Sequence, residues 1–347
     1  AAAEYVIPKS LRFNSGDSSH LNKTFASAGI RTTWTWSAWV KRSATGQQML
    51  FQGGNTDYND DSIIFDTSDR LSISIHNGSN ALAAKLTSSM LFRDFAAWYN
   101  IQVVFDTTNS TADDRIRFYV NGIQLTDFDV RTNPSQNLVS HDINDAAIHH
   151  IGTFRGSQHF FNGYLADIQF VDGVALAPTD FGETRSSDGV WVPKEFSFTS
   201  PNDGTTWSSG LSWSGVSVTN PDRAFDGDMT TAAAGGTSGT LTWTPSSAIS
   251  GTLEVSVAAD SSGTSTITLS NSTSQTVTSG SFANFGSVTG ITSISVTRAA
   301  SSTMGIIAIR LNGEILLNDF NNSSGYGRNG FHLNFSDSST NEALGFD

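Results

Sequence analysis

The sequence predicts an all-β protein on three observations. Short runs that alternate apolar and polar residues recur along the whole chain, no segment carries a sustained helical stripe, and Gly, Asn, Asp and Ser bound the runs. In order the runs are SLRF, TWTWSAWV, SIIFD, LSISI, YNIQVVFD, RIRFYV, GYLADIQFV, TLEVSV, TSISV and IIAIRL. In TWTWSAWV, strand alternation sets Trp34, Trp36, Ala38 and Val40 on one face, which reads as core, and Trp39 on the other. Asn77-Gly78, Asn121-Gly122, Asp172-Gly173 and Asn312-Gly313 each sit between apolar runs and supply the positive φ of a type I′ hairpin turn. An antiparallel, meander-rich architecture follows.

At 347 residues the chain exceeds one ordinary domain, and two are expected. Without a single Cys, neither disulfides nor a thiolate metal site can brace it, so burial and sheet hydrogen bonding must. The net charge of -13, with 15% charged residues, argues against nucleic acid and anionic membranes as partners, since both require clustered Lys and Arg. AAAEYVIPKS has no signal-peptide pattern, and no stretch approaches the roughly 20 apolar residues of a membrane span. Composition shifts near residue 195. All the Lys and six of seven His lie before it, whereas residues 196 to 320 are rich in Ser, Thr, Gly and Ala, with eight acids against three Arg. The boundaries expected are therefore 1–195, 196–320 and a closing segment, 321–347, that returns to the first domain or to a neighbour.

Against this frame the run SLRFNSGDSSHL, with TWTWSAWVKR, DRLSISIHNG, WYNIQVVFDTT, RIRFYVNGIQL, HHIGTFRG and FFNGYLADIQFVDGVALAPTDFGE, resembles a laminin-G/concanavalin A-like lectin domain of the sort frequent in the structural proteins of tailed marine phages. The resemblance covers about residues 5 to 195. NPDRAFDGDMTTAA, GTLTWTP and AIRLNGEILL are similar, more weakly, to a discoidin-like module, and GYGRNGFHLNFSDSSTNEALGFD to the recurrent tail of such viral proteins. It implies a concanavalin-like jelly-roll sandwich followed by a smaller discoidin-like β-sandwich, a pattern that continues beyond Asp347, and a virion surface component such as a fibre, tail appendage or head decoration. Its partners would be other virion proteins and host surface polysaccharide, its state a homo-oligomer of the trimeric kind, its location the virion, outside the cell. Rival readings are a purely structural assembly protein without ligand and a secreted glycan-binding adhesin.

An enzymatic role is not expected. A glucanase of this fold needs two Glu on one strand flanking an Asp, about 5 to 5.5 Å apart in a retaining enzyme, and Glu4, Glu183, Glu195, Glu254, Glu314 and Glu342 are isolated. G-x-S-x-G, Walker and H-E-x-x-H signatures are absent too. His149-His150 with His159 and His141 suggest a metal by residue type, but neighbours on a strand face opposite ways, so a structural role is preferred. A better metal candidate is calcium in AFDGDMTT, where Asp226, Asp228 and Thr231 offer hard oxygen ligands; an Asp-Gly turn capped by acids is an equal alternative, and the discoidin-like resemblance implies a structural ion. Asp57, Asp60 and Asp61 form a second acidic loop, expected to be solvated. A sugar site is normally an aromatic platform with polar neighbours, and Trp39, Tyr58, Phe154, Arg155 and His159 are the candidates for it, with loop or core packing the favoured reading for Trp39.

Overall fold

The computed structural model describes residues 5–54, 60–77, 79, 81–214, 218–235, 239–259, 264–298, 304–320, 322, 324–340 and 343–345. The chain forms two compact units: residues 1–107, 111–198 and 326–347 make the first, residues 108–110 and 199–325 the second.

The first unit holds β1 (Leu11–Phe13), β2 (Leu21–Thr24), β3 (Thr33–Arg42), β4 (Gln48–Gly53), β5 (Ser62–Phe65), β6 (Arg70–His76), β7 (Leu82–Leu91), β8 (Tyr99–Asp106), β9 (Ile116–Val120), β10 (Ile123–Gln124), β11 (Phe128–Thr132), β12 (Ile148–Ile151), β13 (Gly163–Asp172), β14 (Gly182–Thr184) and β15 (Trp191–Pro193). One seven-stranded sheet runs β1-β13-β3-β8-β9-β10, and a late strand, Phe331–Leu333, also pairs with β13. The other runs β11-β7-β6-β5-β4-β12-β2. Pairing is antiparallel throughout. Alternation buries one face of each sheet in a shared core that includes Trp34, Trp36, Phe51, Phe65, Phe105, Phe118 and Phe170. Trp34 stacks on Phe105 at 5.1 Å, adding aromatic attraction to the area buried.

Asn121 and Gly122, with φ of 49° and 77°, join β9 to β10 in the expected two-residue turn. Asp172-Gly173 is a correction. Asp172 ends β13, which pairs with no strand directly after it, and its carboxylate is buried, accepting from Ile30 N (2.8 Å), Asn144 Nδ2 (2.6 Å) and Asn329 N (3.2 Å). Burial raises its pKa, and the three donors oppose that rise. This knot ties residues 326–335 into the first unit. Gly78 of the Asn77-Gly78 turn lies outside the described residues.

The second unit comprises β16 (Leu211–Trp213), β17 (Ala233–Ala234), β18 (Thr240–Trp243), β19 (Ile249–Ala259), β20 (Thr264–Leu269), β21 (Ser274–Thr278), β22 (Phe282–Ile291), β23 (Ile294–Arg298), β24 (Met304–Leu311) and β25 (Glu314–Ile315). Its two five-stranded sheets, β16-β18-β23-β20-β21 and β17-β24-β19-β22 with β25 on β24, enclose Trp207, Trp213, Trp243, Leu253, Val255, Ile267, Val296 and Ile306. Asn312 and Gly313, with φ of 54° and 85°, close the β24–β25 hairpin.

Candidate ligand-binding site

Trp39 faces away from the core, because Ala38 and Val40 are the core members on either side of it. Its register partners are Asn100 on β8 and Ala166 on β13. There it lines a groove of about 360 Å³ with Trp98, Ile7, Pro8, Lys9, Ser10, Ala166 and Pro193. The indole Nε1 of Trp39 is buried without an acceptor among the described residues. Trp98 precedes β8 and lies 6.5 Å, ring to ring, from Tyr164, which is one-third exposed. Tyr164 in turn ranks with Arg12 on β1 and Lys41 on β3. An aromatic floor edged by cations results.

The groove is braced from beneath. Asp167 occupies a β-bulge between the Ala166 and Gln169 pairings, at φ 49°. Its carboxylate accepts from Tyr5 Oη (3.1 Å), His332 Nε2 (2.6 Å) and Gln169 Nε2 (2.9 Å), while Tyr326 donates to Gln169 Oε1 (3.2 Å). Burial, then the Asp167 charge, raise the Tyr5 phenol's pKa. Both the early segment at Tyr5 and the late strand at His332 are therefore pinned to one point beside Ala166. Lys9 donates to Ser336 O (3.0 Å) and Ser338 Oγ (3.1 Å).

Three further candidates assemble on the opposite side of the sandwich, in the loop between β12 and β13. Ser157 N donates to Phe154 O (3.1 Å), and Arg155 and Gly156 have φ of 55° and 70°, the positive values of a type I′ turn. The Arg155 guanidinium grips Asp60 with two bonds and lies 5.0 Å over the Phe154 ring, and Phe154 and His159 are 5.9 Å apart. Gln52 joins them, accepting from Arg155 N (2.9 Å) and donating to Asp60 (2.7 Å). Burial lowers the pKa of His159. The structure thus brings Phe154, Arg155 and His159 together and leaves Trp39 apart; Tyr58 and Asp57 lie outside the described residues. Asp60 and Asp61 are buried rather than solvated, because Arg155 and Gln52 take the first carboxylate and the backbone N–H groups of His76, Asp142 and Ile143 take the second.

His149 and His150 do face opposite ways. His149 packs in the core 4.1 Å from Phe25, donates from Nδ1 to Ala147 O (3.0 Å) and accepts at Nε2 from Asn144 N (3.0 Å). Burial lowers its pKa to about 4. In the Asp226 loop, Asp226 accepts from Asp228 N (2.8 Å) and Thr231 Oγ1 (3.2 Å), and Asp228 from Thr230 N (2.8 Å) and Oγ1 (2.6 Å). Asp226 is exposed, and the desolvation it does undergo raises its pKa. Trp98, Tyr164 and the residues 7–10 were missed by sequence reasoning. The signal for Trp98 was present, since alternation through WYNIQVVF sets it opposite the core residue Tyr99.

Residues 14–180 match the family described as the Concanavalin A-like lectin/glucanases superfamily, of laminin-G type, so the first unit has a lectin-like fold. No curated protein matches the chain. Among solved structures it is similar to a heptameric SAP-like pentraxin from Limulus polyphemus, with 16% identity over 44% of this chain and 68% of that one and a TM-score of 0.32. It is also similar to the CBM40 of the Ruminococcus gnavus IT-sialidase (11% identity, 47% and 95% covered, TM-score 0.33). A third is tailspike protein 2 of Escherichia coli O157:H7 bacteriophage CAB120 (11% identity, 49% and 23% covered, TM-score 0.33). At these identities and scores the likenesses assign no function.

Proposed function

We propose that the chain binds carbohydrate without turning it over, through the groove of Trp39 and Trp98. The observation that carries this reading is the groove itself: two indoles in a space of about 360 Å³ on a lectin-like sandwich, with Tyr164, Arg12 and Lys41 at its edge. Apolar sugar faces stack on indole rings, and the cations and the Ser10 hydroxyl around them hydrogen-bond the hydroxyls. The wider role is that of a virion surface component, extracellular and homo-oligomeric, as the sequence resemblance implies, with a discoidin-like second unit whose Asp226, Asp228 and Thr231 hold a structural calcium. The test is a glycan array that includes cell-surface polysaccharide of bacterial hosts. Selective binding that Trp98→Ala removes supports the reading, and silence of the folded chain overturns it.

A purely structural assembly role is the second reading. Ile123 favours it, since it is apolar, 72% exposed and on β10 at the edge of its sheet, where another chain can pair. Cross-linking of the chain into a defined homo-oligomer that Ile123→Ser abolishes would support it.

A further inference from the structure

We propose that His20 and His150 form a two-histidine site for a divalent transition-metal ion such as Zn²⁺ or Ni²⁺. His150 stands on the outward face of β12, opposite Asn22 on β2 and Gln52 on β4. It is 4% exposed, and both of its ring nitrogens are buried without a partner among the described residues. A neutral imidazole has one donor and one acceptor, and leaving both buried without partners is unfavourable. Such an atom calls for a water, an ion or a ligand.

His20 is placed to share that ion. Its Nδ1 donates to Ser18 O at 2.8 Å, which leaves the lone pair on Nε2. This ring N–H to backbone carbonyl bond is the outer support that orients metal-binding histidines. The His20 and His150 rings are 6.1 Å apart, centre to centre. Two imidazoles sharing one tetrahedral ion at metal–nitrogen distances of about 2.0–2.1 Å hold their centres roughly 5–5.5 Å apart, so an approach of less than about 1 Å by the half-buried His20 ring closes the pair on an ion. Gly156 borders the same space: a Cβ there would lie 3.6 Å from His20 Nε2 and 3.8 Å from His150 Cε1. Among the described residues no group of three or more His, Cys, Asp or Glu gathers around one point. The ion therefore has two protein ligands among the described residues, and its other positions are left for water or an incoming oxygen ligand.

The experiment is a calorimetric titration of the chelator-treated, desalted chain with Zn²⁺, and separately Ni²⁺, at about pH 7.5, above the ordinary histidine range. One equivalent binds, and His20→Ala and His150→Ala each weaken binding by roughly tenfold or more. His141→Ala, whose imidazole meets Asp142 instead, leaves the titration unchanged. Absence of uptake, or uptake that survives both of the first two changes, overturns the proposal. Should the buried His150→Ala fail to fold, the half-buried His20→Ala decides alone.

Discussion

Replacing His149 by Phe separates what its imidazole does for packing from what it does for acid sensitivity. The ring lies between Phe25 and Phe51, at 4.1 and 5.7 Å, and is neutral in the fold, with its pKa lowered from 6.5 to about 4 by burial. Above the unfolded-state pKa neither state carries a proton on this ring, and its contribution is fully present. As pH falls below it the unfolded chain takes up a proton that the folded chain refuses, so stability is lost down to about pH 4, where the folded ring also protonates. At about 1.4 kcal/mol per pKa unit the loss is on the order of 3 kcal/mol. In the variant, Asn144 N–H loses its acceptor, Nε2, which costs about 1–3 kcal/mol at neutral pH. The variant is therefore the weaker protein at pH 7.5, and the gap closes or reverses by roughly 2–3 kcal/mol at pH 4.5. Urea unfolding at both pH values, followed on the transition that the substitution moves, measures this. His150 titrates in the same window in both proteins and cancels in the difference. Curves that stay parallel between the two pH values would refute the reasoning.

Other changes test other parts. Arg42→Met costs about 3–5 kcal/mol in denaturant unfolding, because the buried guanidinium satisfies Asp69 (3.0 Å), Phe92 O (2.8 Å) and Gly46 O (2.9 Å) at once; a loss below about 1 kcal/mol would contradict that. Arg155→Ala strands the buried Asp60 and costs about 3 kcal/mol by the same assay, yet leaves sugar affinity intact, since the loop is remote from the groove of Trp39. Calcium raises the melting temperature of the chain, and Asp226→Asn removes the effect, because an ion bound only to the folded state stabilises it; scanning calorimetry with and without EDTA checks this.

Much of the fold was legible. Period-two alternation set Trp34 and Trp36 inward and Trp39 outward, and Asn-Gly dipeptides marked two hairpins, because both signals act within a few residues. Asp172-Gly173 misled for the opposite reason: the aspartate serves partners on Ile30, Asn144 and Asn329, which only tertiary structure brings near. Asp60 and Asp61 misled likewise, since an acidic loop reads as solvated until Arg155, distant in sequence, is folded against it. Of the candidate residues, Phe154, Arg155 and His159 were found as neighbours in sequence, and they form a cluster apart from the groove. Trp39 acquired its partner Trp98 through sheet pairing, and the wall of residues 7–10 through the Asp167 bulge that holds Tyr5.

The central claim is that the aromatic groove is where carbohydrate binds. The most direct measurement is a calorimetric titration of the chain with an array-selected oligosaccharide, beside Trp98→Ala and Arg155→Ala. Loss of binding in Trp98→Ala with unchanged affinity in folded Arg155→Ala is the predicted result. Affinity that survives Trp98→Ala, or vanishes only with Arg155→Ala, would contradict it.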